Sequence, residues 1–329
     1  MTADGNRSPS RILLTGARGF AGRHLLARLK KDMPDADILP LGRSHDLSDH
    51  DSLDIGDAAA VHRLIARYQP TVIVHLAALS SVGDSLKDPA AVWHVNFDGT
   101  RNLALAAKAL DAPVRFIFAS SGEVYGESFN HGPCDETTPL APRTPYARSK
   151  AAAEYFLHDM ADEKLEVISL RLFNHTGPGQ DERFVVPAFA AQVVNIETGR
   201  QPNPIRVGNL DAQRDFTGIE DILDAYLAVL ADEADTPGFT AYNVGSGQTR
   251  SIQSILQKLM ALAHVPVSHE PDPARLRPSE IPVAAGSFSR FQTRYGWKAH
   301  RNFDSTLESV LDYFRSEAGR ENASPRPGN

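Results

Sequence analysis

Cysteine is nearly missing from this chain. With Cys134 alone among 329 residues, no intrachain disulfide and no cysteine-based metal cluster can form. A reducing cytoplasm is therefore the expected location, and no metal site is expected. Lysine and arginine never gather into a block that suggests nucleic acid or a membrane surface, and the net charge of −7 points the same way. No apolar run approaches the roughly 20 residues that cross a bilayer. Internal repeats are absent too. What remains is ordinary globular usage, 42% hydrophobic and 23% charged, enough to bury a large core. The expected partner is a small molecule.

From Arg11 to Leu170 short β-rich runs alternate with amphipathic stretches of helix length, the pattern of βαβ units and a parallel sheet. The strand candidates are RILLTG, DILPLG, TVIVHLA, VRFIFAS and EVISLRL, separated by stretches such as AGRHLLARLKKDM and GTRNLALAAKALDA. After Arg171 the chain turns to Gly-, Pro- and Asn-rich loops, with helices near FVVPAFAAQVV, IEDILDAYLAVL and SIQSILQKLMALA. No clean linker separates the halves, so two intertwined domains are expected. The first is expected over 11–170 with about 211–250, the second over about 171–210 and 251–315, and the polar stretches 1–10 and 317–329 as flexible tails.

The first strand candidate runs into TGARGFAG, which sets Gly16, Gly19 and Gly22 at GxxGxxG spacing, with Phe20, where a helix begins. Glycines there let the backbone approach a pyrophosphate that sits on the N–H groups of the helix start. The fold class expected is thus α/β, a Rossmann-type doubly wound parallel sheet with a smaller intertwined α/β substrate domain. NAD binders usually place Asp or Glu at the end of the second strand, for the ribose hydroxyls. Here that end reads LGRS; Arg43, helped by Arg18, suits a 2′-phosphate, so NADP(H) is expected and NAD(H) remains possible. Asp54 and Ile55 stand where an adenine amino group would be met.

TPYARSK places Tyr146 and Lys150 four apart, neighbours on one helical face. A tyrosine near pKa 10 is a poor proton carrier at neutral pH unless a cation lowers that value, which is the role expected of Lys150. Ser121 would hold the substrate oxygen. Together with the glycine loop, these residues resemble the extended short-chain dehydrogenase/reductase family over about residues 11–315. The resemblance implies that LAALSSV, with Leu76, Ala77 and Ala78, runs beside the nicotinamide ribose and that Ser81 touches substrate. Asn96 matches the family's Asn-x-x-Gly-Thr segment, either as a cofactor contact or as an internal helix hydrogen bond. A homodimer through a four-helix bundle is also implied, with one helix after Asn96 and one carrying Tyr146.

LFNHTGPGQ, VGNLDAQRDFTGIEDI and RPSEIPV resemble the branch acting on GDP-mannose derivatives. That resemblance implies a GDP-sugar substrate bound by Asn174, Val185, Asn209, Arg214, Arg277 and Glu280, the arginines on the diphosphate and Glu280 on the ribose. Arg214 is alternatively an ion-pair partner of Asp215 or Asp221. Dehydratases of this branch usually show Thr, then Asp or Ser, then Glu, where this chain has Ser121, Gly122 and Glu123. Without a side chain at the middle position, proton delivery to a departing hydroxyl loses one of its usual groups. FVVPA in place of the dehydratases' FVTRK points the same way. The resemblance therefore implies an NADPH-dependent 4-keto reductase. A dehydratase with Glu123 as base, another nucleotide-sugar epimerase and a non-catalytic NADP-binding regulator are the alternatives.

Overall fold

The computed structural model describes residues 10–42, 52–234, 236–276 and 281–323. Contacts divide the chain into two compact units. The first draws on Met1–Val124, Pro142–Arg171 and Leu227–Tyr242; the second on Tyr125–Ala141, Leu172–Tyr226 and Asn243–Asn329.

The first unit is built on a six-stranded sheet in the spatial order Asp37–Leu41, Arg11–Thr15, Val72–His75, Val114–Ser121, Leu165–Leu172 and Phe239–Val244. The first five in chain order are the β-rich runs expected from the sequence, and the fold is the Rossmann-type α/β fold. The edge strand FTAYNV is an addition. Strands with helices on both faces must be apolar on both sides. Ile12, Leu13, Leu14, Ile73, Val74, Phe116, Ile117 and Phe118 are accordingly all fully buried. Each such side chain contributes roughly 1.5–3 kcal/mol relative to exposure. The parallel register aligns Leu41, Thr15, His75 and Phe118 in one row, while Val114–Ser121 runs three residues further to Ser121. Strand order reverses between Arg11–Thr15 and Val72–His75, so the row crosses the point where such sheets bind ligands at their carboxyl ends.

The second unit has a small sheet of Thr249–Ser251, Gln213–Gly218, Val283–Ala284 and Asn174–Thr176, and a pair of Ile205–Val207 with His269–Pro271. Helices Val185–Glu197, Ile252–Ala261 and Phe303–Ala323 enclose a core that includes Phe189, Val193, Leu256, Leu259 and Leu311. Three boundaries differ from those expected. Tyr125–Ala141 groups with the second unit because Tyr125 bonds Asn243 (2.7 Å) and Cys134 bridges to Gly286. Of 211–250, the strand Gln213–Gly218 belongs to the second unit's sheet, and only Leu227–Tyr242 joins the first. The last helix continues past 317 to Ala323, since Ala318 reaches the core and Arg320 pairs with Glu317 at 2.7 Å. No helix among the described residues is long and apolar enough to cross a membrane.

Candidate active site

The glycine loop follows directly from Thr15. Gly16 adopts a positive φ of 72°, and a Cβ there would lie 2.6 Å from the Ala77 nitrogen. A Cβ on Gly22 would come within 2.0 Å of the Gly16 carbonyl, and the Gly19 N–H donates to that same carbonyl at 2.9 Å. Two of the three glycines are thus sterically obligatory. Helix Phe20–Asp32 starts at Gly19 without a side-chain cap, and a helix N-terminus of this kind favours an anion. This cradle, too tight for side chains, fits a dinucleotide pyrophosphate.

At the end of the second strand the Arg18 stem lies across Gly42, whose absent Cβ would meet it at 2.7 Å. Arg43 lies outside the described residues. Asp54 accepts from the Gly56 N–H at 2.9 Å, which shapes a turn that exposes part of its carboxylate. Ile55 is buried, and its carbonyl and that of Gly56 both accept from Asn102 at 3.0 Å. Leu76, Ala77 and Ala78 are half-buried just past the third strand. Asn96, fully buried, binds the next residue of that loop. Its Oδ1 accepts from the Leu79 N–H (2.8 Å) and its Nδ2 donates to the Leu79 carbonyl (3.2 Å) and to Ser149 Oγ (3.0 Å).

Thr144 caps the helix Pro145–Met160 by accepting from Ala147 N–H at 3.1 Å, and Pro145 occupies the first turn, where its missing N–H costs nothing. Tyr146 and Lys150 share that helix's buried face. Tyr146 hydrogen-bonds Ser121, and the Glu123 carboxylate lies close enough to act on it. Ser121 Oγ in turn accepts from the Glu123 N–H at 3.2 Å. Lys150 Nζ donates to the Ala119 carbonyl at 2.7 Å and sits 4.6 Å from the centre of the Phe118 ring. The four residues read as catalytic, Ser121, Glu123, Tyr146 and Lys150, are therefore gathered within one unit.

Electrostatics depart from the sequence expectation in one respect. Tyr146 is not lowered; burial pushes its pKa up to about 12, against the opposing bond from Ser121, and the Glu123 charge adds to the rise. Burial also brings Lys150 down to about 7, offset in part by the Glu154 carboxylate. For both groups burial is the largest cause of the shift. Glu154 is itself held by Arg171 (2.7 Å) and Ser169 (3.0 Å), all three buried.

In the second unit the expected substrate residues are spread over several short elements. Arg214 donates to the carbonyls of Gln213 and Ile281, both at 2.8 Å. Its alternative partners are engaged elsewhere, Asp215 by Ser246 (2.8 Å) and Asp221 by Arg301 (2.7 Å). Asn174 is exposed on its short strand, Val185 opens helix Val185–Glu197, and Asn209 Oδ1 accepts from the Asp211 N–H at 2.9 Å. Arg277 and Glu280 lie outside the described residues. Ser81, in the first unit, caps a short helix through the Asp84 N–H at 3.2 Å.

Residues 13–310 match the family described as GDP-mannose 4,6 dehydratase. The chain belongs to that family, within the extended short-chain dehydrogenase/reductases. It is 36% identical over 314 residues to the GDP-6-deoxy-D-mannose reductase of Pseudomonas aeruginosa, covering 94% of this chain and 99% of the relative. The structure of RMD from Pseudomonas aeruginosa complexed with NADPH superposes with a TM-score of 0.80 at 32% identity, covering 94% of this chain and 99% of that one. UDP-glucose 4-epimerase of Thermus thermophilus complexed with NAD follows at 0.78 and 27%, covering 93% and 99%. Within this family frame, sequence reading missed His75 and Glu154. Both are buried polar residues one register step or one helical turn from a predicted site residue, and that spacing was the available signal.

Proposed function

We propose that this protein reduces the 4-keto group of GDP-4-keto-6-deoxy-D-mannose with NADPH, giving a GDP-6-deoxyhexose, GDP-D-rhamnose. The full-length likeness to the Pseudomonas reductase carries this reading. Gly122 supports it, because the residue between Ser121 and Glu123 offers no group for proton delivery to a leaving hydroxyl.

Gly16, Gly19, Phe20 and Gly22 would hold the pyrophosphate, Arg18 and Arg43 the 2′-phosphate, Asp54 and Ile55 the adenine, and the loop of Leu76, Ala77 and Ala78 the nicotinamide ribose. NADPH, when bound, supplies the hydride. The rest of the chemistry belongs to the side chains. Ser121 orients the substrate carbonyl through its hydroxyl. Tyr146 carries its proton at neutral pH and is the donor, although burial, by pushing its pKa up to about 12, opposes release of that proton. Its phenolic proton passes to the carbon-4 oxygen as negative charge develops there. Lys150, one helical turn away, stabilises the phenolate left behind while it is protonated, a form that burial restricts to below about pH 7. Asn174, Val185, Asn209, Arg214, Arg277 and Glu280 would hold the GDP portion, and Ser81 the sugar.

The half-buried Glu123 carboxylate, acting on Tyr146, favours a second reading, dehydration of GDP-mannose. One experiment separates the two. Given GDP-4-keto-6-deoxy-mannose, the reductase consumes NADPH stoichiometrically and adds two hydrogens by mass spectrometry, while GDP-mannose stays intact. Loss of water from GDP-mannose with the cofactor unchanged would establish the dehydratase instead. NMR of the sugar product assigns the rhamno or talo configuration.

We also propose a homodimer in the cytoplasm. Trp93, Leu105 and Tyr155 are 37%, 47% and 62% exposed on the helices Pro89–Trp93, Gly99–Lys108 and Pro145–Met160, apolar side chains suited to meeting a second copy. Sedimentation of the unmutated protein against Tyr155→Glu tests this; a monomer in both would end the proposal.

A further inference from the structure

A buried histidine that no step above uses joins the glycine loop to the catalytic helix. His75 ends the third strand, opposite Thr15 in the register, and Thr15, His75, Thr100, Asn96 and Ser149 are all fully buried. Thr100 Oγ lies 2.6 Å from the Asn96 carbonyl, and a carbonyl only accepts, so the Thr100 hydrogen is spent there. Toward His75 Nε2, 2.9 Å away, Thr100 can then only accept, which puts a hydrogen on Nε2. In a neutral ring Nδ1 is bare, so Thr15 donates to it across 2.7 Å, and the Thr15 oxygen is left to accept the Ala77 N–H at 3.3 Å. Every hydrogen has one assignment. Beyond Thr100 the path continues through Asn96, whose side chain grips Leu79 and Ser149, and Ser149 donates to the Tyr146 carbonyl at 2.7 Å.

We propose that His75, fixed as the neutral Nε2–H tautomer, is a positioning residue. It is the middle link of a one-directional hydrogen-bond chain that holds the Ala77–Leu79 loop and the end of the first strand in register with Tyr146. The inference rests on the catalytic reading of Tyr146 and adds a residue to it. A second proton on the ring would break the chain, because Thr15 would face an N–H donor and its own hydrogen would lose its acceptor. The charged group acting on His75 is Lys150, which with burial opposes that proton; the rings of Phe116 and Phe118 pack against it. A neutral His75 keeps a second cation away from Lys150.

Two measurements test the proposal, and the first needs neither substrate nor activity. In ¹⁵N-histidine spectra of the unmutated protein, the His75 ring stays neutral with its hydrogen on Nε2 from about pH 5 to about pH 8. The opposite tautomer, or an imidazolium in that range, would overturn the proposal. The second is steady-state kinetics of Thr100→Val, which removes the acceptor of the Nε2 hydrogen. We expect kcat to fall roughly tenfold to a hundredfold with the KM for the GDP-sugar within about twofold, and Thr100→Ser to restore most of the rate. An unchanged kcat in Thr100→Val, or a serine variant no better than valine, would overturn it. Failure of the reductase reading is distinguishable, since that leaves the unmutated protein without NADPH consumption whatever the ring's tautomer.

Discussion

The two units carry their expected site residues in different ways. In the first, the residues proposed to perform chemistry stand on long elements whose positions are over-determined. Ser121 ends an eight-residue strand, Tyr146 and Lys150 lie on a sixteen-residue helix, and buried side chains tie one element to the next. In the second, Asn174 and Arg214 stand on strands of three and six residues, and Asn209 in a loop. Arg214 is held by two carbonyls. Proton transfer tolerates little misplacement, whereas recognition of a long, charged nucleotide spreads over many contacts. Substitutions in the first unit should therefore strike kcat, and substitutions in the second KM.

The strongest test of that contrast is Tyr146→Phe. Loss of the proton donor lowers kcat by about 10²–10⁴-fold with GDP-sugar affinity unchanged, measured by steady-state kinetics and calorimetry. A comparable loss of affinity would erase the distinction. Next is Glu154→Ala, which removes the carboxylate that Arg171 meets at 2.7 Å in the first unit's core, at a cost of about 3–5 kcal/mol by denaturant unfolding. Lys258→Ala, which removes the exposed pair with Asp304 in the second unit, leaves the midpoint where it was. Arg214→Ala raises KM for the GDP-sugar about tenfold to a hundredfold with little change in kcat, as loss of a charge-assisted phosphate bond does. A fall in kcat with KM intact would assign Arg214 to the first unit's kind of role.

The smallest expected effect concerns pH. Burial lowers Lys150 from 10.5 to about 7, so between these values the unfolded chain holds a proton that the native protein has shed. Stability therefore rises with pH across that window on account of this group. Lys150→Met removes the contribution, flattening the dependence of Tm on pH and stabilising the fold below about pH 7. An identical slope in both proteins would show that Lys150 keeps its charge when folded.

Most of the fold was legible because its signals are local. Apolar β-rich runs predicted five of the sheet's strands, and glycine spacing marked the helix start at the cofactor loop. The sixth strand, FTAYNV, was hidden by its loop-rich neighbourhood, since joining a sheet edge is a long-range event. In the site, the gathering of Ser121, Glu123, Tyr146 and Lys150 followed from motif spacing. The direction of the Tyr146 shift did not, because sequence shows which charges are neighbours and not how dry the pocket is. For the same reason His75 passed as one more strand residue. Its significance lies in which hydrogens its neighbours can spare, and only coordinates reveal that.

Gly42 has a consequence for any attempt to re-engineer cofactor choice. A carboxylate at the end of the second strand is the usual device for selecting a cofactor without the 2′-phosphate. Here the first atom of such a side chain would collide with the Arg18 stem at 2.7 Å. Gly42→Asp would thus act twice, adding negative charge and displacing the Arg18 stem, the cation proposed to meet the phosphate. Preference at this position is a lever with two arms on one pivot, because one substitution alters both the local charge and the course of the Arg18 stem.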